Sequence, residues 1–157
     1  MIQLTRQGVA APDTDLTVTL TLDQRQRSRL RVILDDGREA GILLPRSTTL
    51  RDGDGLFTAE GLAVRVRAAV ECLSRVDCTD ALGMARAAYH LGNRHVALQI
   101  EPGRLYYPHD HVLDDLVRGL GFKVQVEERP FEPEPGAYQG QSPGAGHGHA
   151  HHRHGGH

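Results

Sequence analysis

The chain holds ten histidines in 157 residues, and their placement is uneven. Six lie in the last eleven residues, HGHAHHRHGGH: His147, His149, His151, His152, His154 and His157. Neutral imidazole is a borderline-soft nitrogen donor that suits Ni(II), Cu(II) and Zn(II). One histidine on a flexible chain holds such an ion weakly. Several at close spacing chelate, because each further ligand arrives at high effective concentration. The intervening glycines let the backbone wrap an ion without strain. Such a tract should offer several labile sites of modest selectivity. A purification tag would be an unbroken run, whereas Gly, Ala and Arg153 interrupt this one. The other reading without metal is a solvated, pH-responsive tail.

The remaining four histidines sit in two places. His90 and His95 flank the end of one expected helix, and His109 and His111 open another. His109 and His111 would point nearly opposite ways on a regular helix but share a side in extended chain. They can serve one ion only if the helix starts after them, with Asp110 or His111 near its cap. His95 follows a Gly-Asn break, where a side chain projects from a loop. A lone loop histidine is ordinarily a surface residue. It gains a metal role if the chain dimerises about a nearby two-fold axis, which brings two copies to one ion. A two-histidine site leaves most of a nickel coordination sphere open, so it would bind weakly and release readily.

Other chemistries find little support. RDGDG (Arg51 to Gly55) resembles the opening of a calcium loop but lacks the later acidic ligands. Cys72 and Cys78 have no CxxC spacing and read as buried core thiols. There is no glycine-rich phosphate loop, HExxH or GxSxG. A metalloenzyme built on His109 and His111 would need a third fixed ligand at a recognisable spacing, and none is seen. Arg25, Arg27, Arg29 and Arg31, with Arg65 and Arg67, read as solvated strand faces.

The elements that must position these residues follow from periodicity. LTVTLTL (Leu16 to Leu22) alternates as a half-buried strand. Asp36-Gly37 between two apolar runs signals a hairpin. No helical period appears before about residue 77. Leu62 to Cys72 alternates as one long strand. Thr79 to Leu91 is an alanine-rich helix with Thr79 as its cap and Gly92-Asn93 as its stop. Val96, Leu98 and Ile100 alternate as a strand, EPGR turns, and Leu105 to Tyr107 pairs back. Val112, Leu113, Leu116, Val117 and Leu120 define the second helix, and Phe122, Val124 and Val126 a last strand.

The expected class is therefore α+β. A small all-β domain (residues 1–70) precedes a ferredoxin-like βαββαβ domain (residues 71–130), the repeat itself running from about residue 62 to 128. From Pro130 onward, prolines and glycines displace apolar residues, so residues 131–157 are expected to be a disordered His-rich tail.

Bulk composition narrows the class further. Hydrophobic residues make up 39% and charged residues 24%, as in a globular protein. The formal net charge of −2 offers no strong field, so neither nucleic acid nor membrane is an expected partner. The N-terminus lacks an apolar core of signal-peptide length, and no apolar run approaches a membrane span. Two cysteines exclude a disulfide scaffold, and a cytoplasmic location is expected.

AYHLGNRH (Ala88 to His95), followed by LQI and by YYPHDHVLDDLVRGLG (Tyr106 to Gly121), resembles the urease accessory protein E family of urease nickel metallochaperones. The order of β-domain, ferredoxin-like domain and His-rich tail resembles that family over the whole chain. The resemblance implies that His95 is a metal ligand at a homodimer interface formed by the ferredoxin-like domains. It implies that His109 and His111 are accessory ligands, and that the N-terminal domain is a peptide- or partner-binding module. It further implies that Ni(II) is delivered with the urease accessory GTPase to apo-urease, without enzymatic activity of its own. A passive His-rich buffer for nickel or other divalent metals is the alternative. It would share the tail but need neither partner nor interfacial site.

Overall fold

The computed structural model describes residues 1–136. The six tail histidines, His147 to His157, lie outside the described residues. The N-terminal part contains β1 (Ile2–Leu4), β2 (Arg6–Val9), β3 (Thr17–Leu20), α1 (Leu22–Arg25), β4 (Arg29–Ile33), β5 (Glu39–Leu43), β6 (Asp54–Phe57) and β7 (Ala63–Ala68). They form a three-stranded sheet, β1-β5-β4, and a four-stranded sheet, β2-β6-β7-β3. The alternating apolar residues fill the core between them, with Leu4, Val18, Leu20, Ile42, Leu56, Val64 and Val66 buried. Asp36-Gly37 turns β4 into β5, and Gly37 adopts φ 93°, which costs glycine nothing.

Two boundaries differ from those that alternation suggests. The strand expected to reach Leu22 stops at Leu20, because Thr21 caps α1. The Gln24 amide donates to Thr21 Oγ1 at 3.3 Å, and Gln24 Oε1 accepts from the Thr21 amide at 3.0 Å. This reciprocal capping box satisfies two donors at once and outweighs the local strand period. The long strand expected over Leu62 to Cys72 is two strands, β7 and β8 (Val70–Asp77). β7 pairs with β3 and β6, whereas β8 pairs in a third sheet, formed by the C-terminal part. Alternation continues across Ala69, but pairing partners change there, and periodicity carries no information about partners.

The C-terminal part continues with α2 (Ala81–Gly92), β9 (Gln99–Glu101), β10 (Arg104–Pro108), α3 (His111–Gly119) and β11 (Lys123–Pro130). Its sheet has the order β11-β8-β10-β9, and every pairing is antiparallel. In the order of the repeat this is 4-1-3-2, the ferredoxin-like arrangement. Ala87 and Leu91 of α2 and Val117 of α3 pack on Val76, Leu105 and Tyr107, so both helices cover one face. Asp80, not Thr79, is the N-cap of α2, its Oδ1 accepting from the Gly83 amide at 2.7 Å. Val96 and Leu98 pack on this core but lie outside β9. The opposite face is polar at one end, where Arg75 reaches Glu127, Gln125 and Asp77. Arg129 stacks 4.1 Å from the Tyr106 ring centroid.

The other end of that face joins the two parts. Leu73, Tyr106 and Phe131 form a small buried cluster with Leu22 of α1 and Ala97 packed against it. Placement thus continues past Pro130, contrary to the loss of structure expected there. Arg25, expected on a solvated strand face, is instead 1% exposed in the last turn of α1. Its guanidinium donates to Glu132 Oε1 at 2.6 Å and to the Phe131 carbonyl. Glu132 Oε1 also accepts from the Asp52 amide at 2.9 Å, and Glu71 accepts from the Leu22 amide at 3.1 Å. Arg25→Ala removes the donor that the Phe131 carbonyl and the partly exposed Glu132 carboxylate share. It should cost about 2 kcal/mol, the scale of a lost hydrogen bond to a charged group, read as a lowered urea midpoint. An unchanged midpoint would mean that the junction contributes nothing to stability.

Candidate metal-binding site

The two histidine pairs lie at helix ends, and the helix ends set their geometry. Asp110 is the N-cap of α3, with extended backbone, and its Oδ1 accepts from the Val112 amide at 2.8 Å and the Leu113 amide at 3.2 Å. The helix thus starts at His111, leaving His109 outside it. This meets the condition under which an HxH pair escapes the opposed directions of a regular helix. The two rings nevertheless have different surroundings. His111 is exposed at the first helical position. His109 turns its Nδ1 inward, 3.1 Å from Ser74 Oγ and 3.2 Å from Asp114 Oδ2.

Asp114 is the residue that spacing did not single out. It is 2% exposed, and its Oδ1 accepts from Ser74 Oγ and from Tyr107 Oη, each at 2.6 Å. It lies three residues before the buried Val117, on the face of α3 that meets the sheet. An acidic residue within an otherwise apolar helical stripe was the available signal, since buried carboxylates require partners. Burial, reinforced by the Asp114 carboxylate that its hydroxyl bonds, pushes the Tyr107 phenol well above its ordinary value of 10.0.

His95 stands at the other end of the domain's first helix. The C-cap of α2 is Asn93, and the Arg94 and His95 amides bond back to the Leu91 and Gly92 carbonyls at 3.1 and 3.0 Å. His95 then adopts φ 57°, one of two non-glycine residues with positive φ among the described residues. Its side chain is exposed. The left-handed region is a small enclave for residues with a Cβ, and histidine is among those enriched there. The negative end of the helix dipole also favours a cation at this terminus. His90 is half-buried one turn earlier, edge-on to Tyr89 with ring centroids 5.3 Å apart.

Among the described residues, no group of three or more His, Cys, Asp and Glu side chains is close enough to hold a metal ion. His95 lies at the end of α2, and His109 with His111 at the start of α3. Both cysteines are free. Cys78 is a buried core thiol, raised above its usual pKa by burial and then by Asp77. Cys72 is exposed, which corrects its expected burial. No helix among the described residues is long and apolar enough to cross a membrane.

Fold and site together define a two-part protein: a β-rich N-terminal unit, then a ferredoxin-like domain with solvent-facing imidazoles at its helix ends. Residues 3–69 match the family model described as UreE urease accessory protein, N-terminal domain, and residues 71–157 match that of the C-terminal domain. A relative from Pseudomonas putida strain W619 named urease accessory protein UreE is 59% identical over 140 residues, covering 88% of this chain and 87% of the relative. Relatives of the same name from Alkalilimnicola ehrlichii and Escherichia coli O157:H7 are 55% and 51% identical, covering 89% and 90% of this chain and 86% and 93% of their own lengths. The chain belongs to the UreE urease accessory protein family, and its role lies in urease maturation.

Two measurements test the local physics. His95→Gly should remove left-handed strain and leave stability unchanged or raised by up to about 1 kcal/mol. A clear loss in thermal unfolding would show that the imidazole packs structurally. For Tyr107, the folded pKa lies above the unfolded one, so the neutral phenol's contribution is fully present below pH 10 and is lost as pH rises further. Stability measured from pH 9 to 11 should therefore fall more steeply in the native sequence than in Tyr107→Phe. Parallel curves would refute the shift.

Proposed function

We propose that this protein is a Ni(II)-binding metallochaperone. It acts as a homodimer and, with the urease accessory GTPase, passes nickel to apo-urease during active-site assembly. The observation that carries the reading is His95: exposed, at the cation-favouring end of α2, on a backbone whose left-handed conformation fixes its direction. One imidazole makes no durable site, so a second copy must supply another. The same helix offers a surface for that copy. Leu82 and Tyr89, two turns apart on α2, are 71% and 65% exposed, and burying such side chains favours association.

In this reading His109 and His111 form an accessory site. The tail histidines 147, 149, 151, 152, 154 and 157 collect ions and feed them inward. Residues 71–130 bind metal and dimerise, and residues 1–70 form the surface for partners. Cu(II) and Zn(II) share the donor preference and should bind in vitro, Cu(II) more tightly than Ni(II). Two free thiols fit a reducing cytoplasm. Few fixed ligands per ion give weak binding, which a carrier needs and a resident cofactor site does not.

Calorimetric titration with Ni(II) separates this reading from a passive buffer. The comparison is full-length protein against a chain ending at Gly140, each with and without His95→Ala. The truncated chain should remain dimeric and keep about one His95-dependent nickel per dimer, the count that two-fold symmetry gives. Loss of all binding on truncation, with no effect of His95→Ala, would instead mark a His-tail buffer.

A further inference from the structure

His109 is not held as a surface histidine is held, and counting hydrogens around it shows why. Ser74 and Tyr107 are fully buried, and each hydroxyl carries one hydrogen. Both donate to Asp114 Oδ1, at 2.6 Å in each case. Ser74 Oγ then has only lone pairs to present to His109 Nδ1, 3.1 Å away. Asp114 Oδ2, 3.2 Å from the same nitrogen, also presents only lone pairs. Two acceptors face one ring nitrogen. The hydrogen between them must come from the ring, so neutral His109 carries it on Nδ1. The lone pair of the imidazole is then on Nε2, on the opposite side of the ring from the buried cluster.

We propose that Asp114 is a positioning residue for metal capture: it fixes the tautomer and direction of His109 so that Nε2 is presented outward to a divalent cation. This rests on His109 being a ligand, as in the function proposed above. Metal-bound imidazoles commonly donate their other N–H to a carboxylate, which sets ring orientation and raises ligand basicity. Here that arrangement stands ready before any ion arrives. It reaches across the cap of α3, from a residue inside the helix to one outside it. Asp114 also supplies negative charge near the positive end of the α3 dipole, which would otherwise disfavour a cation there. His111 has no such partner among the described residues. The pair is therefore unequal, with His109 the oriented donor and His111 an exposed one without such a partner among the described residues.

Asp114→Asn tests the assignment by reversing the hydrogen count. The amide oxygen can still accept from Ser74 and Tyr107, so the fold has its partners. The amide NH₂ then faces Nδ1 as a donor, and the ring should respond by moving its hydrogen to Nε2. Two-dimensional ¹H–¹⁵N NMR of the full-length apo-protein above pH 8 reads the tautomer directly, with His109→Ala assigning the signal. The native chain should show His109 as Nδ1–H and Asp114→Asn as Nε2–H. Tyr107→Phe, which perturbs packing but keeps the carboxylate, should stay Nδ1–H. Titration with Ni(II) alone should show the His109-dependent affinity falling roughly tenfold to a hundredfold in Asp114→Asn. An Nε2–H tautomer in the native chain overturns the proposal, whether or not the variant folds. So does unchanged His109-dependent nickel affinity in a folded Asp114→Asn. If His109→Ala leaves nickel binding unaltered, His109 is no ligand. That result overturns the proposal together with the role given to His109, while the His95 site stands.

Discussion

A carboxylate buried without partners would unfold the segment that holds it, and Asp114 is almost wholly buried. Its environment is arranged to prevent that outcome. β8 supplies Ser74, β10 supplies Tyr107, and the segment before α3 supplies His109. These three pieces are distant in sequence or separated by a cap, and only the assembled sheet brings them to one point. The constraint works in both directions. Asp114 is tolerated because the sheet offers donors, and α3 starts where it does because Asp110 caps it while Asp114 anchors its first turn to the strands. The orientation of His109 is a by-product of satisfying this buried charge.

A second buried charge does the corresponding work between the two parts of the chain. Arg25 reaches from α1 to Glu132 and to the Phe131 carbonyl, beyond the last strand. The segment after β11 is thereby bound to the N-terminal unit. The chain leading toward the His-rich residues thus departs from a defined place beside the junction.

The metal-handling reading draws on an economy of ligands. His95 is exposed on a left-handed backbone, and it belongs to no group of three or more metal-donor side chains among the described residues. As proposed, a site completed by a second copy would bind no ion durably as a monomer. It holds an ion only as firmly as few imidazoles allow. Such a site suits transfer, where an ion must be taken up and given away.

Much of this was legible in the residues. Period-two alternation and the Asp36-Gly37 turn located strands in all three sheets but not β1, β2 or β6; the alanine-rich run and the apolar stripe located α2 and α3, and the ferredoxin-like order followed from their succession. The histidines announced themselves by type and spacing. Local signals misled where two of them competed: Thr21 and Gln24 form a capping box inside a strand-like period, and Asp80 caps in place of its neighbour Thr79. Elsewhere the misreading was not local at all. Leu62 to Cys72 reads as one strand because alternation is a property of a single segment, whereas membership of a sheet is a property of its partners. Arg25 reads as a solvent-facing charge, and Asp114 is not singled out, because sequence does not reveal which distant groups will neutralise a buried charge. The sequence by itself determined the β character of the N-terminal unit, the succession of elements in the ferredoxin-like domain and the chemistry available, since these follow from periodicity and side-chain type. The tertiary structure alone decided which charges are buried, which ring nitrogen of His109 faces outward and where the two units join, because those depend on contacts between residues far apart in the chain.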